Sequence, residues 1–147
     1  MFVADKAFDN VEWYGYGPTE NYPDRLEASS IGRWKGKVGD QYVHYPRPQD
    51  SGNLESVAEI SITDKAGRGL RVNSIGSTIS ASALPYSVSD IYAVSHDCDL
   101  TNSGKTYLNL DAAVMGLGNS SCGPGVLKKY AIPHGVHTLK VRFTPLK

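Results

Sequence analysis

Three stretches concentrate the residue types that could do chemistry. The first, Trp13–Arg25 (WYGYGPTENYPDR), sets Trp13, Tyr14, Tyr16 and Tyr22 beside Glu20, Asn21, Asp24 and Arg25. An aromatic ring can cover the apolar face of a pyranose while carboxylates and amides take its hydroxyls, so the stretch suits sugar binding. A structural reading competes and is the stronger one for a loop this rich in Pro and Gly. In it, Asp24 and Arg25 pair with other groups to fix an irregular loop, while Glu20 and Asn21 satisfy backbone amides that lack strand partners.

The second stretch, Tyr42–Asn53 (YVHYPRPQDSGN), crowds polar side chains around a turn stiffened by Pro46 and Pro48. His44 has the chemistry of an acid or base, but no partner is identifiable by spacing, and a lone histidine more often has a structural role. The third, Asn109–Gly125, begins as a strand and ends in the glycine-rich run Gly116–Gly125, which contains Asn119, Ser120, Ser121 and Cys122. No Lys-Ser/Thr follows these glycines, so they do not form a phosphate-binding loop. Cys122 would need a nearby base and an electropositive setting to act as a nucleophile, and neither is in view. No catalytic residue is therefore assigned. His96, Asp97, Cys98 and Asp99 are dense in ligand types, but neighbours on an extended chain point to opposite sides. No Cys-x-x-Cys or His-Glu-x-x-His spacing occurs, so no metal site is assigned either.

The bulk properties narrow the function classes. Fifteen basic and fifteen acidic side chains cancel over 147 residues. That balance gives neither the basic footprint of a nucleic-acid binder nor a polybasic membrane-binding run. No apolar stretch approaches the ~20 residues needed to span a bilayer, and no signal peptide is visible at the N-terminus. Cys98 and Cys122 are expected as two reduced thiols. Fifteen Gly, eight Pro and nine Tyr favour short strands separated by turns.

The elements that must position these stretches follow from periodicity. In Val57–Thr63, Ala58, Ile60 and Ile62 alternate with Glu59, Ser61 and Thr63, as in a strand with one buried face. Asp64–Gly67 reads as a turn into a partner strand carrying Leu70 and Val72, which makes a hairpin. Thr78–Ala83, Tyr107–Ala112 and the run Leu139–Thr144 alternate likewise, and Val11–Tyr14 and Gln41–Tyr45 are shorter candidates. Gly15–Lys37 reads as ordered loop. One helix is predicted over Val88–Ser95, because Ser87 and Asp90 form a variant capping box ahead of the apolar pair Ile91 and Val94. The predicted fold is an all-β antiparallel sandwich with one short helix, in a single domain over residues 1–147.

The pieces WYGYGPTENYPDR (Trp13–Arg25), DQYVHYPRPQDSGN (Asp40–Asn53), SASALPY (Ser80–Tyr86) and YLNLDAAVMGLGN (Tyr107–Asn119) occur in an order that resembles the C-terminal, small-chain domain of family-two β-galactosidases. They span nearly the whole chain, and the first is long and unusual. The resemblance implies a β-supersandwich of the galactose-mutarotase type, preceded in the parent by a catalytic (β/α) barrel and an immunoglobulin-like domain. A retaining glycosidase of this kind uses two glutamates about 5 Å apart. Both belong to the barrel, so this chain alone is expected to be inactive and to support the parent's hydrolysis of terminal β-galactosides.

The resemblance further implies partners in the rest of the parent glycosidase, in carbohydrate and in a homo-oligomer, with neither nucleic acid nor membrane among them. It implies no cofactor in this chain, and Mg and Na ions bound elsewhere in the parent. It also implies a bacterial parent that is cytoplasmic or periplasmic. Only twelve residues precede the Trp-Tyr-Gly motif, so the chain is expected to be a C-terminal portion of a larger domain. Where well-known members carry a tryptophan that stacks on sugar, this chain has Cys122. Asn119, Ser120, Ser121 and Cys122, with Trp13 and Tyr14, are the expected carbohydrate-proximal residues, while Glu20, Asn21, Asp24 and Arg25 form the expected structural motif. Two other functions are compatible with these residues: an independent carbohydrate-binding module using Trp13, Tyr14 or Trp34, and a sugar mutarotase or epimerase using His44 or His96 with a carboxylate.

Overall fold

A computed structural model describes residues 1–120 and 122–147. Its strands are β1 (Phe2–Asp5), β2 (Asn10–Gly17), β3 (Ser30–Lys37), β4 (Leu54–Val57), β5 (Glu59–Thr63), β6 (Gly69–Ser74), β7 (Ile79–Leu84), β8 (Lys105–Asp111) and β9 (Val141–Leu146). One α-helix, α1, spans Val88–Ala93. The strands form a four-stranded sheet of order β1-β8-β7-β4 and a five-stranded sheet of order β3-β2-β5-β6-β9. Every named strand pair is antiparallel.

The two sheets bury one face of each against the other. Val11, Trp13, Ile60, Ile62 and Val72 from the larger sheet meet Leu54, Val57, Ile79, Ala81, Ala83 and Leu108 from the smaller one. This is the β-sandwich that the alternating pattern predicts, since period-two apolar positions line one face of a strand. The β5–β6 hairpin pairs Ile60 with Val72 and Ile62 with Leu70. Asp64 holds its turn by accepting from the Ala66 and Arg68 amides. The smaller sheet is also covered on its outer side, because Ser80, Ser82 and Leu84 of β7 are as buried as Ile79, Ala81 and Ala83.

Several local expectations are corrected. Gly15–Lys37 is not one loop, because β2 runs on to Gly17 and β3 occupies Ser30–Lys37. Glycines hold two of the inward positions of β3 (Gly32 and Gly36), which removes the apolar alternation that would have marked it. Gln41–Tyr45 is not a strand; a 3-10 turn covers Gly39–Gln41 and the chain then runs irregularly. Val57 belongs to β4, and Ala58 sits between β4 and β5, donating its amide to Tyr14 O. Leu139 lies outside β9, an edge strand in which Phe143 is exposed although Val141 packs on the core. Helix α1 stops at Ala93, two residues short of the predicted end, with Val94 already extended. Its capping box is complete: the Ser87 hydroxyl accepts from the Asp90 amide at 3.1 Å and the Asp90 carboxylate from the Ser87 amide at 3.1 Å. Cys98 is a free thiol, as expected, and lies exposed.

Candidate functional site

The first stretch starts in the larger sheet and then leaves it. Trp13 is 2% exposed within the core, and its indole N–H donates to Tyr16 O at 2.9 Å. This corrects its expected place near carbohydrate: period-two alternation sends Trp13 inward with Val11, so its ring has no face open to a sugar. Tyr14 points the other way and is exposed, with the Arg33 guanidinium 5.5 Å from its ring centroid. Trp34 is half-buried and donates to Gly15 O at 3.2 Å. Its ring lies so close to Gly17 that a Cβ there would meet it at 2.6 Å, which is why the motif needs glycine at that place.

Beyond Gly17 the polar residues of the motif bind backbone. Asn21 is fully buried: its side-chain oxygen accepts from the Glu55 amide at 2.7 Å and its Nδ2 donates to Thr19 O at 2.9 Å. Asn53 returns the contact, donating Nδ2 to Asn21 O at 2.8 Å. Glu20 accepts from the Gly52 amide at 2.7 Å and from the Tyr22 and Tyr45 hydroxyls. Burial first, then the hydrogen bond to Glu20, pushes the Tyr45 phenol up to about 12. Burial and the Glu20 charge raise Tyr22 further. Both phenols thus stay protonated as donors. Glu20 and Asn21 thereby join the first stretch to the second.

Asp24 and Arg25 reach the third stretch, more than ninety positions away. Asp24 Oδ1 accepts from the Leu117 amide at 2.9 Å and Oδ2 from the Gly118 amide at 2.8 Å. Arg25 Nη2 donates to Gly118 O at 2.9 Å and to Asn119 Oδ1 at 3.1 Å. Burial alone would raise the Asp24 carboxyl, but the two amide donors and Arg25 hold it below the ordinary carboxylate value. Gly118 has φ +62°, and a Cβ there would meet the Val126 nitrogen at 2.5 Å. Glycine and the clamp together fix the loop that carries Asn119, Ser120 and Cys122, all on the surface. Ser121 lies outside the described residues.

This loop, the second stretch and α1 enclose a cavity of about 470 Å³ on the outer face of the smaller sheet. Its polar lining includes Asp50, Asn53, Ser82, Asn109 and Asp111. Burial pushes the Asp111 carboxyl up, the Met1 α-amino group opposes that, and Asp50 adds to the rise. Sequence reasoning did not single out Asp50 or Asp111 as site residues. Their only signal was position, Asp111 ending a strand and Asp50 lying in a proline-stiffened turn. Elsewhere, His44 Nδ1 lies 2.8 Å from Asp97 Oδ2, and His96 Nδ1 lies 3.4 Å from Asp99 Oδ2. Burial and the Asp97 charge push the neighbouring Tyr42 phenol up to about 12. Among the described residues, no three His, Cys, Asp or Glu side chains are grouped to hold a metal ion.

The family model described as beta galactosidase small chain matches residues 1–144. The chain belongs to this family. Among relatives of this small-chain segment, the beta-galactosidase of Lactobacillus delbrueckii subsp. bulgaricus is 39% identical over 113 residues, covering 77% of this chain and 11% of that protein. That of Halalkalibacterium halodurans is 34% identical over 132 residues, covering 89% of this chain and 13% of that protein. The beta-galactosidase of Kluyveromyces lactis is 32% identical over 134 residues, with 89% and 12% covered. The small chain thus spans roughly an eighth of the length of the relatives it matches.

Proposed function

We propose that this chain is a non-catalytic domain of a β-galactosidase-like glycoside hydrolase, acting with the rest of a larger polypeptide that carries the catalytic carboxylates. The observation that carries the reading is the use made of the motif carboxylates. Glu20 accepts from the Tyr22 hydroxyl of its own stretch and from the Tyr45 hydroxyl and Gly52 amide of the second, and Asp24 accepts two backbone amides of the glycine loop. A carboxylate tied to loop hydroxyls and backbone amides in this way is a scaffold part, poorly placed to move a proton or attack a sugar carbon. The beta-galactosidase relatives, of which this chain matches only a small share, support the same reading. In it, the Asp24–Arg25 clamp presents Asn119, Ser120 and Cys122 as part of a wall beside the sugar. Cys122 gives that wall a thiol in place of a stacking ring.

The test uses nitrophenyl β-galactoside. The isolated chain is expected to hydrolyse none of it. Added to the Lactobacillus delbrueckii relative lacking its matching segment, the chain is expected to raise that protein's activity. Hydrolysis by the isolated chain would contradict the non-catalytic role, and an unchanged rate in the mixture would contradict the supporting one.

One observation favours a second reading, a sugar mutarotase. His44 with Asp97 at 2.8 Å has the form of an oriented acid–base pair on the surface. Polarimetry of freshly dissolved galactose tests it, and a rate equal to that of buffer rejects it.

A further inference from the structure

Asn119 is an exposed residue of the glycine loop, yet its main chain and side chain are both tied down. Its amide N–H donates to Pro124 O at 3.0 Å, and its carbonyl accepts from the Cys122 amide at 3.0 Å and the Gly123 amide at 2.6 Å. Its Oδ1 accepts from Arg25 Nη2 at 3.1 Å. Gly123 closes the turn tightly, since a Cβ there would meet Asn119 Cβ at 3.3 Å. A surface side chain anchored in this way is already ordered before any ligand arrives, so binding does not bear that cost.

Arg25 also sets which way the Asn119 amide faces. A guanidinium carries donors only, so the atom turned towards it is the oxygen, and Nδ2 is turned away. Among the described residues, Nδ2 has no hydrogen-bond partner. Asn119 helps line a pocket of about 260 Å³, with Gly118, Pro124, Leu127 and Tyr130 among its other walls. Pockets for drug-sized ligands begin at roughly 300 Å³, so this one suits a single ring. Asp24 and Arg25 line it too, and their charges lie 3.8 Å apart and offset each other. That balance favours a neutral, hydroxylated ligand over an anion.

We propose that Asn119 Nδ2 donates a hydrogen bond to a hydroxyl oxygen of the glycoside, and that Arg25 is the positioning residue that aims it. The inference rests on the functional reading above, in which the glycine loop forms part of a wall beside the sugar. Arg25 touches no ligand in this arrangement; it acts by holding Oδ1 and so leaving the amino group to the pocket. The contact serves binding and not bond cleavage, because a fixed neutral donor at the wall meets substrate and transition state alike.

The experiment measures KM and kcat for nitrophenyl β-galactoside in the mixture with the Lactobacillus delbrueckii relative lacking its matching segment, with this chain in saturating excess. Asn119→Ala and the similarly sized Asn119→Leu are expected to raise KM about fivefold with kcat unchanged, as for the loss of one neutral hydrogen bond. Arg25→Ala is expected to raise KM by a similar factor. Combining Arg25→Ala with Asn119→Ala is expected to add nothing further, because both remove the same contact. Circular dichroism confirms that each variant is folded. An unchanged KM in both Asn119 variants, with activity still raised by the unaltered chain, would overturn the contact while the functional reading stands. Losses that multiply in the double variant would overturn the positioning role of Arg25. No rise in activity with the unaltered chain would remove the functional reading and the contact together.

Discussion

At Asp24, one carboxylate satisfies two backbone amides that no strand reaches. Replacing it by alanine leaves the Leu117 and Gly118 N–H groups without that acceptor. The expected cost is about 1–3 kcal/mol, the range for an orphaned polar group, read as a lower urea midpoint at pH 7. The pH dependence has a definite sign. The folded-state carboxyl of Asp24 lies below its unfolded value, so its stabilisation is present above pH 4 and disappears as pH falls through the folded value. Asp111 behaves oppositely. Its folded value is raised above the ordinary carboxylate value, so it costs stability at pH values above both and nothing below the unfolded value. Asp111→Asn is therefore expected to match or exceed the unaltered chain in stability at pH 7, with the difference vanishing near pH 3; urea titrations at both pH values check this. The residues of the clamp were legible in the sequence as a dense polar run. Their partners were not, because no local pattern links Arg25 to Asn119 across 94 positions.

Among the elements, those with strong local signals were read correctly and those dependent on neighbours were not. The β5–β6 hairpin follows from alternation plus a turn, and α1 from its capping box. Ser87→Ala removes one side of that box and is expected to cost about 1 kcal/mol, seen as faster amide exchange at Asp90 and Ile91. In contrast, β3 exists because β2 offers a full ladder, from Asn10 opposite Lys37 to Gly17 opposite Ser30. Its own sequence, SIGRWKGK, gives little hydrophobic pattern and reads as loop. Here pairing overrides propensity, as expected for strand preferences set by context. Trp13 illustrates the converse error. Its type suggested a sugar platform, whereas its alternation with Glu12 and Tyr14 fixed it as core. Trp13→Ala is expected to lower stability by about 3–5 kcal/mol, and a denaturation curve that shifts by less than ~1 kcal/mol would count against its place between the sheets.

For the whole molecule, the all-β class was legible from composition and period, since apolar residues at every second position can only be buried by a second layer. The order of strands within each sheet was not, because register depends on which edges meet. Nor was the cavity, whose walls come from separate stretches of chain, β7, α1, the turn before β4 and the loop after β8.

The Asp24–Arg25 clamp also bears on how the chain reaches this structure. It closes a loop of more than ninety residues between segments that follow β2 in one sheet and β8 in the other. Closing so long a loop has an entropic cost, so the clamp is expected to form late in folding, an expectation that the refolding and unfolding rates of a clamp variant check. Weakening it should leave the refolding rate nearly unchanged and speed unfolding. The bonds that order the glycine loop would then act mainly as a latch on the time the molecule stays folded.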